Sequence, residues 1–230
     1  MRDFFVHSVF FGAVLSLAAY ELGLLLKKKW RLAVLNPLLT GTLCVMAVLT
    51  LLQTDYADYN AGAKYISYLL TPATVCLAVP LYQQLSLLKK NLKAVIGGIT
   101  AGVLTSLIGV FLLAKLFSLT HEQYVTLLPK SITTAIGIGV SEELGGIATI
   151  TVASIIITGI LGNVIAEDLC KIFRIEEPVA KGLALGTASH AIGTAKAMEL
   201  GEIEGAMSSL AIAVAGLLTV AVAPVFAKLM

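Results

Sequence analysis

Two stretches of this chain set small hydroxyls, a histidine and lysines into otherwise apolar sequence, where they could receive an anion or relay a proton. The first, Leu127–Gly146, reads LLPKSITTAIGIGVSEELGG; the second, Gly182–Gly201, reads GLALGTASHAIGTAKAMELG. Each contains Ala-Ile-Gly, five residues, then Glu-Leu-Gly. Ser131 and Thr133 of the first match Thr187 and Ser189 of the second, and Thr134 matches His190. The hydroxyls of Thr133, Thr134, Thr187, Ser189 and Thr194 can donate to a carboxylate; their ordinary alternative is a bond to the preceding helical turn. His190 titrates near neutrality and could bind an anion, pass a proton, or be a satisfied buried histidine.

Lys130 and Lys196 flank the two segments. A charge at the bilayer centre costs about 2.5–3.5 kcal/mol on insertion scales, so such lysines are paired, functional, or snorkelling to the surface. Lys196, six residues past His190, is the better binding candidate of the two. Thr133, Thr134, Thr187, Ser189, His190, Thr194 and Lys196 therefore form the expected substrate-binding set. Lys130, Glu143, Asn163 and Glu199 are coupling or structural candidates. Glu143 and Glu199, at the closing turns, suit a structural role better. His7 and His121 lie near helix ends and need no functional role.

The elements that would hold these residues are membrane helices. The chain has 230 residues, 58% hydrophobic and 13% charged, against about 25% charge in a soluble domain. Long runs of Leu32–Thr54, Tyr65–Leu88, Ala94–Ala114, Leu144–Ala166, Gly205–Ala227 and, interrupted by Glu21, Phe4–Leu26 can each cross about 30 Å of hydrocarbon as a helix. The expected architecture is all-α and polytopic, with about six full transmembrane helices, two short broken or re-entrant segments, and internal, inverted repeats. One integral membrane domain, 1–230, would contain two N-terminal helices (1–60) and a broken helix plus helix (65–117). Two units of broken segment plus helix would follow (127–172 and 182–229).

Pro72 and Pro80 should break or kink the run Tyr65–Leu88, whose Thr74, Gln83 and Gln84 suggest a third, diverged copy of the repeat. Gly137, Gly139, Gly186 and Gly193 should break the two echoed segments. Neither segment is long enough to cross as a straight helix, which needs about 20 apolar residues. Paired short, glycine-interrupted segments are a sequence pointer to a transporter's binding site. Glycines at 97, 98, 102 and 109 permit close helix approach.

Lys27, Lys28, Lys29 and Arg31 beside Trp30, then Lys89, Lys90 and Lys93, then Lys171, Arg174 and Lys181 place 10 of the 16 Lys and Arg in three cytoplasmic loops if both short segments re-enter. The N-terminus would then lie outside, as would the weakly basic loop Gln53–Lys64, and Asn36-Pro37 would interrupt the start of the second helix. Cys44, Cys76 and Cys170 have no metal spacing and read as packing residues. No metal or cofactor is expected, and no HExxH, GxSxG or paired-aspartate motif points to an enzyme. The small net charge gives no reason to expect nucleic acid.

LLTPATVCLAVPLYQQL, LPKSITTAIG and GLALGTASHAIGTAKAMELGEIEGAMSSLA closely resemble the LrgB/CidB family over nearly the whole chain. That resemblance implies antiholin-like, autolysis-regulating membrane proteins, bacterial members of which accompany a smaller holin-like partner. It also implies kinship with carriers of small monocarboxylates, pyruvate in bacteria and glycolate or glycerate in plastids. The resemblance implies Thr-Thr-Pro-Ile-Ala or Thr-Thr-Ala-Ile-Ala where this chain has Thr133-Thr134-Ala135-Ile136-Gly137; without the proline, the first break is expected to rest on Gly137 and Gly139. The leading expectation is a secondary transporter of a small monocarboxylate in the cytoplasmic membrane. It would be a homo-oligomer coupled to H+ or Na+ and working by alternating access. The alternative is an antiholin-like regulator of a holin-like pore and of murein hydrolase activity.

Overall fold

Proline, glycine and buried hydroxyls determine where this apolar chain leaves the helix, as the computed structural model shows. It describes residues 8–30, 35, 37–69, 72, 75–76 and 78–230. His7, Arg31, Asn36, Thr74 and the starts of the runs at Phe4 and Leu32 lie outside the described residues. Among the described residues, all regular structure is helical. The contacts form two compact units, Met1–Cys76 and Leu77–Met230.

The first unit contains α1 (Phe11–Trp30), α2 (Pro37–Leu52) and α3 (Tyr56–Ser67), with α2 and α3 both packed on α1. Small residues make the approach possible: a Cβ on Gly12 would strike the Tyr59 carbonyl, and one on Gly23 would meet Pro37 at 2.8 Å. Ser16 Oγ and the Tyr59 hydroxyl, 2.8 Å apart, add a polar tie. The expected loop Gln53–Lys64 is thus mostly helix, because Gly62 lets α3 lie against α1.

The second unit runs through α4 (Ala78–Gln83), α5 (Leu85–Lys90), α6 (Leu92–Leu116), α7 (His121–Leu127), α8 (Thr134–Glu143), α9 (Ala148–Ile172), α10 (Pro178–Leu200) and α11 (Glu202–Ala227). Of the six spans expected, three among the described residues are long and apolar enough to cross a membrane: α6, α9 and α11. α1 ends in three lysines, and α2 is only 16 residues long. The run Tyr65–Leu88 is divided among the described residues at Gln84, between α4 and α5, and Pro80 lies within α4. Pro72 is exposed.

α6 buries Val95, Ile99, Val103, Leu107, Val110 and Ala114, a stripe at helical spacing. The stripe meets Ala206, Met207, Ala211 and Ala215 of α11 in one core, where small residues bring backbones close. Of the four α6 glycines, Gly98 and Gly102 are approached, by Leu183 at 3.3 Å and Thr187 Oγ1 at 2.8 Å; Gly97 and Gly109 face open space.

Both echoed stretches fold back on themselves. In the first, the Thr120–Gln123 capping box opens α7. The chain leaves the helix across Leu128–Thr133, and α8 returns. The return is fixed at the base, where Thr151 Oγ1 is hydrogen-bonded to the Thr126 carbonyl (2.9 Å) and to Ser141 Oγ (2.7 Å). The Ile147 amide donates to Thr126 Oγ1 at 2.8 Å. In the second, α10 starts on Pro178 and has non-helical backbone at Ser189 and His190. Its second arm then runs back along the first: Leu185 and Ala197 share one apolar cluster, and a Cβ on Gly193 would sit 2.7 Å from the Leu185 carbonyl. Twelve residues of straight helix would instead separate Leu185 from Ala197 by roughly 18 Å.

The first break, Leu128–Thr133, ends at Thr133, which matches Ser189 of the second break, Ser189–His190; neither lies at the glycines expected to cause it. Gly137 and Gly139 lie inside regular α8, and Pro129-Lys130 opens the first break. Gly186 and Gly193 are helical; Gly186 lies against the Ser208 carbonyl and Ala211 of α11. α9 begins at the base of the first hairpin and ends beside the start of the second. Gly186→Ala should lower the melting temperature of the purified protein, since over-packing costs about 1–3 kcal/mol. Gly139→Ala, with nothing within 4 Å, should be neutral or stabilise by up to about 1 kcal/mol through helix propensity. Thermal unfolding in one detergent compares them.

Candidate ligand-binding site

A hairpin tip inside hydrocarbon must find partners for the amides and carbonyls it frees. The second tip uses α9 as its platform. His190 has φ 42° and ψ −137°, a left-handed backbone that costs a non-glycine residue about 1–3 kcal/mol. Its ring is buried, and Nε2 donates to the Ile155 carbonyl at 2.9 Å, which makes Nε2 the protonated nitrogen. Asn163 Nδ2 donates to the Ile192 carbonyl at 2.8 Å, just past the turn. Thr194 Oγ1 donates to the His190 carbonyl at 3.0 Å, so it accepts from Ser208 Oγ of α11 at 2.7 Å.

Two glycines one turn apart on α9 receive this tip. A Cβ at 159 would lie 2.7 Å from His190 Cε1, and one at 162 would overlap the Ser189 hydroxyl. Composition gave no reason to single these glycines out, but the small-residue pair Gly159–Gly162 in a membrane run was available as a signal.

The first tip carries Lys130, whose ammonium donates to Ser131 Oγ at 3.0 Å; Ser131 Oγ is 3.0 Å from Ser106 Oγ of α6. Thr133 is the N-cap of α8 without a side-chain bond to that helix, and Thr133 and Thr134 are half-buried. The two tips approach each other: Ser131, Ile132 and Thr187 border one small void with Ser106 of α6 and Thr219 of α11. Lys130 is close enough to act electrostatically on His190.

Beside the tips is a crevice of about 1170 Å3 between α6, α9 and the first arm of α10. It extends from Asn91, Phe173 and Glu177 at one end to Lys130, Ser131, Thr158 and Ser189 at mid-depth. Its walls are mainly Ala, Gly, Leu and Ile. The Ser189 hydroxyl, on a residue 1% exposed, has no protein partner among the described residues. Thr187 Oγ1 donates back to the Leu183 carbonyl at 2.7 Å, the ordinary bond within a helix.

The structure therefore brings Lys130, Ser131, Thr187, Ser189 and His190 together and leaves Lys196 out. Lys196 lies at the hairpin base, in contact with Glu167 of α9 and 3.2 Å from Glu199. The Lys196–Glu199 pair, three residues apart on a helix, was readable from spacing; Glu167 was not. Glu143 is exposed at the other base. Cys76 is exposed, and Cys44 and Cys170 are half-buried, so none is a core residue as expected. Among the described residues, no group of three His, Cys, Asp or Glu side chains is placed to hold a metal.

Comparison with known proteins gives this architecture a family. Antiholin-like protein LrgB of Bacillus subtilis (strain 168) is 40% identical over 223 residues, 96% of each chain. The Bacillus cereus (strain B4264) protein of the same name is 40% identical over 218 residues, 94% of this chain and 95% of its own. So is that of Bacillus anthracis (strain CDC 684 / NRRL 3495). No solved structure matches. A family model described as the LrgB-like family matches residues 16–229, and the chain belongs to that family.

Proposed function

We propose that this chain is an antiholin-like membrane protein, one that modulates a holin-like pore and, through it, murein hydrolase activity. The observation that carries this reading is the name shared by relatives aligned over about 95% of the chain. It fits a protein whose described part is almost entirely apolar helix. Such a protein acts on its partner through helix faces within the bilayer, and Leu112, Ile157 and Leu217 are among many apolar side chains exposed on α6, α9 and α11. The cytoplasmic membrane is the corresponding location. Loss of the chain should change the rate of autolysis, and the purified protein should retain a small membrane partner. Unchanged lysis in a deletion strain, with no co-purifying partner, overturns this reading.

A second reading has its own structural support: a secondary carrier of a small monocarboxylate. Two hairpins that start at opposite ends of α9 and meet tip to tip beside a crevice are the arrangement expected of inverted repeats entering from opposite membrane faces. Backbone of this kind is tolerated at membrane depth only against protein or a watery cavity. The basic residues near Lys89–Lys93 and Lys171–Lys181 are at the same end of the unit, the end at which the crevice reaches Asn91 and Phe173, so that end is assigned to the cytoplasm. Altered lysis could then follow from altered metabolite flux, and the readings are compatible.

Proteoliposomes under an imposed proton or sodium gradient should take up labelled pyruvate or glycolate. Ser189→Ala should reduce uptake about tenfold, the loss expected for one hydrogen bond to a charged group, and His190→Ala should reduce it by releasing the turn from the Ile155 carbonyl. Lys196→Ala should act mainly by weakening the hairpin base. Absence of uptake in the wild-type protein removes the carrier reading and leaves the antiholin-like one untouched.

A further inference from the structure

Lys130 is the cation in the crevice wall, and the other charged lining residue, Glu177, lies at the N-cap of α10 near the opening. Among the described residues no carboxylate pairs with Lys130; its ammonium bonds only the Ser131 hydroxyl. Ser189, a residue 1% exposed, lines the same crevice, and its hydroxyl has no protein partner among the described residues. Two features of this wall thus favour a negative group: an ammonium with no carboxylate partner and an unused hydroxyl donor.

The rest of the crevice favours the opposite chemistry. From the tips outward its walls are Ala101, Gly98, Leu161, Ile165 and Ala184, which offer a ligand no side-chain hydrogen bonds. At about 1170 Å3 the space exceeds the roughly 300–1,000 Å3 of pockets that enclose drug-sized ligands. A two- or three-carbon acid would fill only a small part of it.

We propose that the crevice binds an amphipathic monocarboxylate, with its carboxylate on Lys130 and Ser189 at the hairpin tips and its alkyl chain along the apolar walls toward Asn91 and Phe173. This goes beyond the carrier reading, because a site can hold such a ligand whether or not it moves it. Lys130 supplies the charge, Ser189 a directed hydrogen bond, and His190 orients the turn that presents Ser189.

The test uses the full-length protein in phospholipid nanodiscs and an octanoate with a photoreactive group at its chain end, with adducts mapped by peptide mass spectrometry. Labelling should concentrate on α6, α9 and the first arm of α10. Plain carboxylates of increasing length should compete about fourfold better per methylene, as burial of each CH2 predicts, and 1-octanol should compete at least tenfold less well than octanoate. Lys130→Gln should reduce specific labelling at least tenfold and Lys130→Arg should restore most of it. Ser189→Ala should give a smaller loss, and the exposed Lys171→Gln should leave it unchanged. Circular dichroism and gel filtration of each variant separate lost binding from lost fold.

Labelling insensitive to Lys130→Gln in a folded variant, octanol competing as well as octanoate, or no gain with chain length overturns the proposal. Charge-dependent binding without any uptake leaves it standing and removes the carrier reading. Uptake of pyruvate by the wild-type protein, with no octanoate binding to it, does the reverse.

Discussion

Hydrocarbon supplies no hydrogen bonds, so every amide and carbonyl released by a turn inside the bilayer must be met by the protein. The second half of this chain meets the same demand within its apolar packing, at the tip of one hairpin and at the base of the other. At the tip of α10, Asn163 meets the Ile192 carbonyl and Thr194 meets the carbonyl of His190. His190, in its unfavourable backbone conformation, is anchored through its ring to the Ile155 carbonyl. At the base of the first hairpin, Thr126, Ser141 and Thr151 form a closed hydroxyl knot that also takes the Ile147 amide.

Once the turns are satisfied, the packing follows. The tip can reach α9 only because positions 159 and 162 lack side chains, and the first arm of α10 can lie on α11 only because position 186 does. A hydroxyl left over from that accounting, Ser189, faces the crevice together with Lys130. The chemistry of the site is what remains after the backbone has been served.

The echo between the two stretches pointed to where each folds back: the first leaves the helix across Leu128–Thr133, and Thr133 matches Ser189, where the second turns. The mechanics of the breaks were less legible. Glycine in a membrane helix signals either a break or a close neighbour, and sequence alone does not separate them; Gly137 and Gly186 are close neighbours. The breaks come from Pro129, and from a serine and a histidine held by tertiary bonds. Of the two flanking lysines, Lys196 read as the better binding candidate, yet it is the one paired, with Glu199 of its own helix and with Glu167, which α9 brings to it. The length of the charge-free runs identified α6, α9 and α11, whereas α3 forms where a polar loop was expected because Gly62 gives it a surface to rest on.

α9 has a double duty that constrains how this half can move. Its first turn is tied into the base of one hairpin through Thr151, and its middle cradles the tip of the other through Ile155, Gly159 and Gly162. Close-packed interiors transmit displacement instead of absorbing it. A tilt of α9 that eases pressure on one hairpin must therefore press on the other, as the beam of a balance lowers one pan by raising its counterpart. The two halves of the echo cannot relax at once.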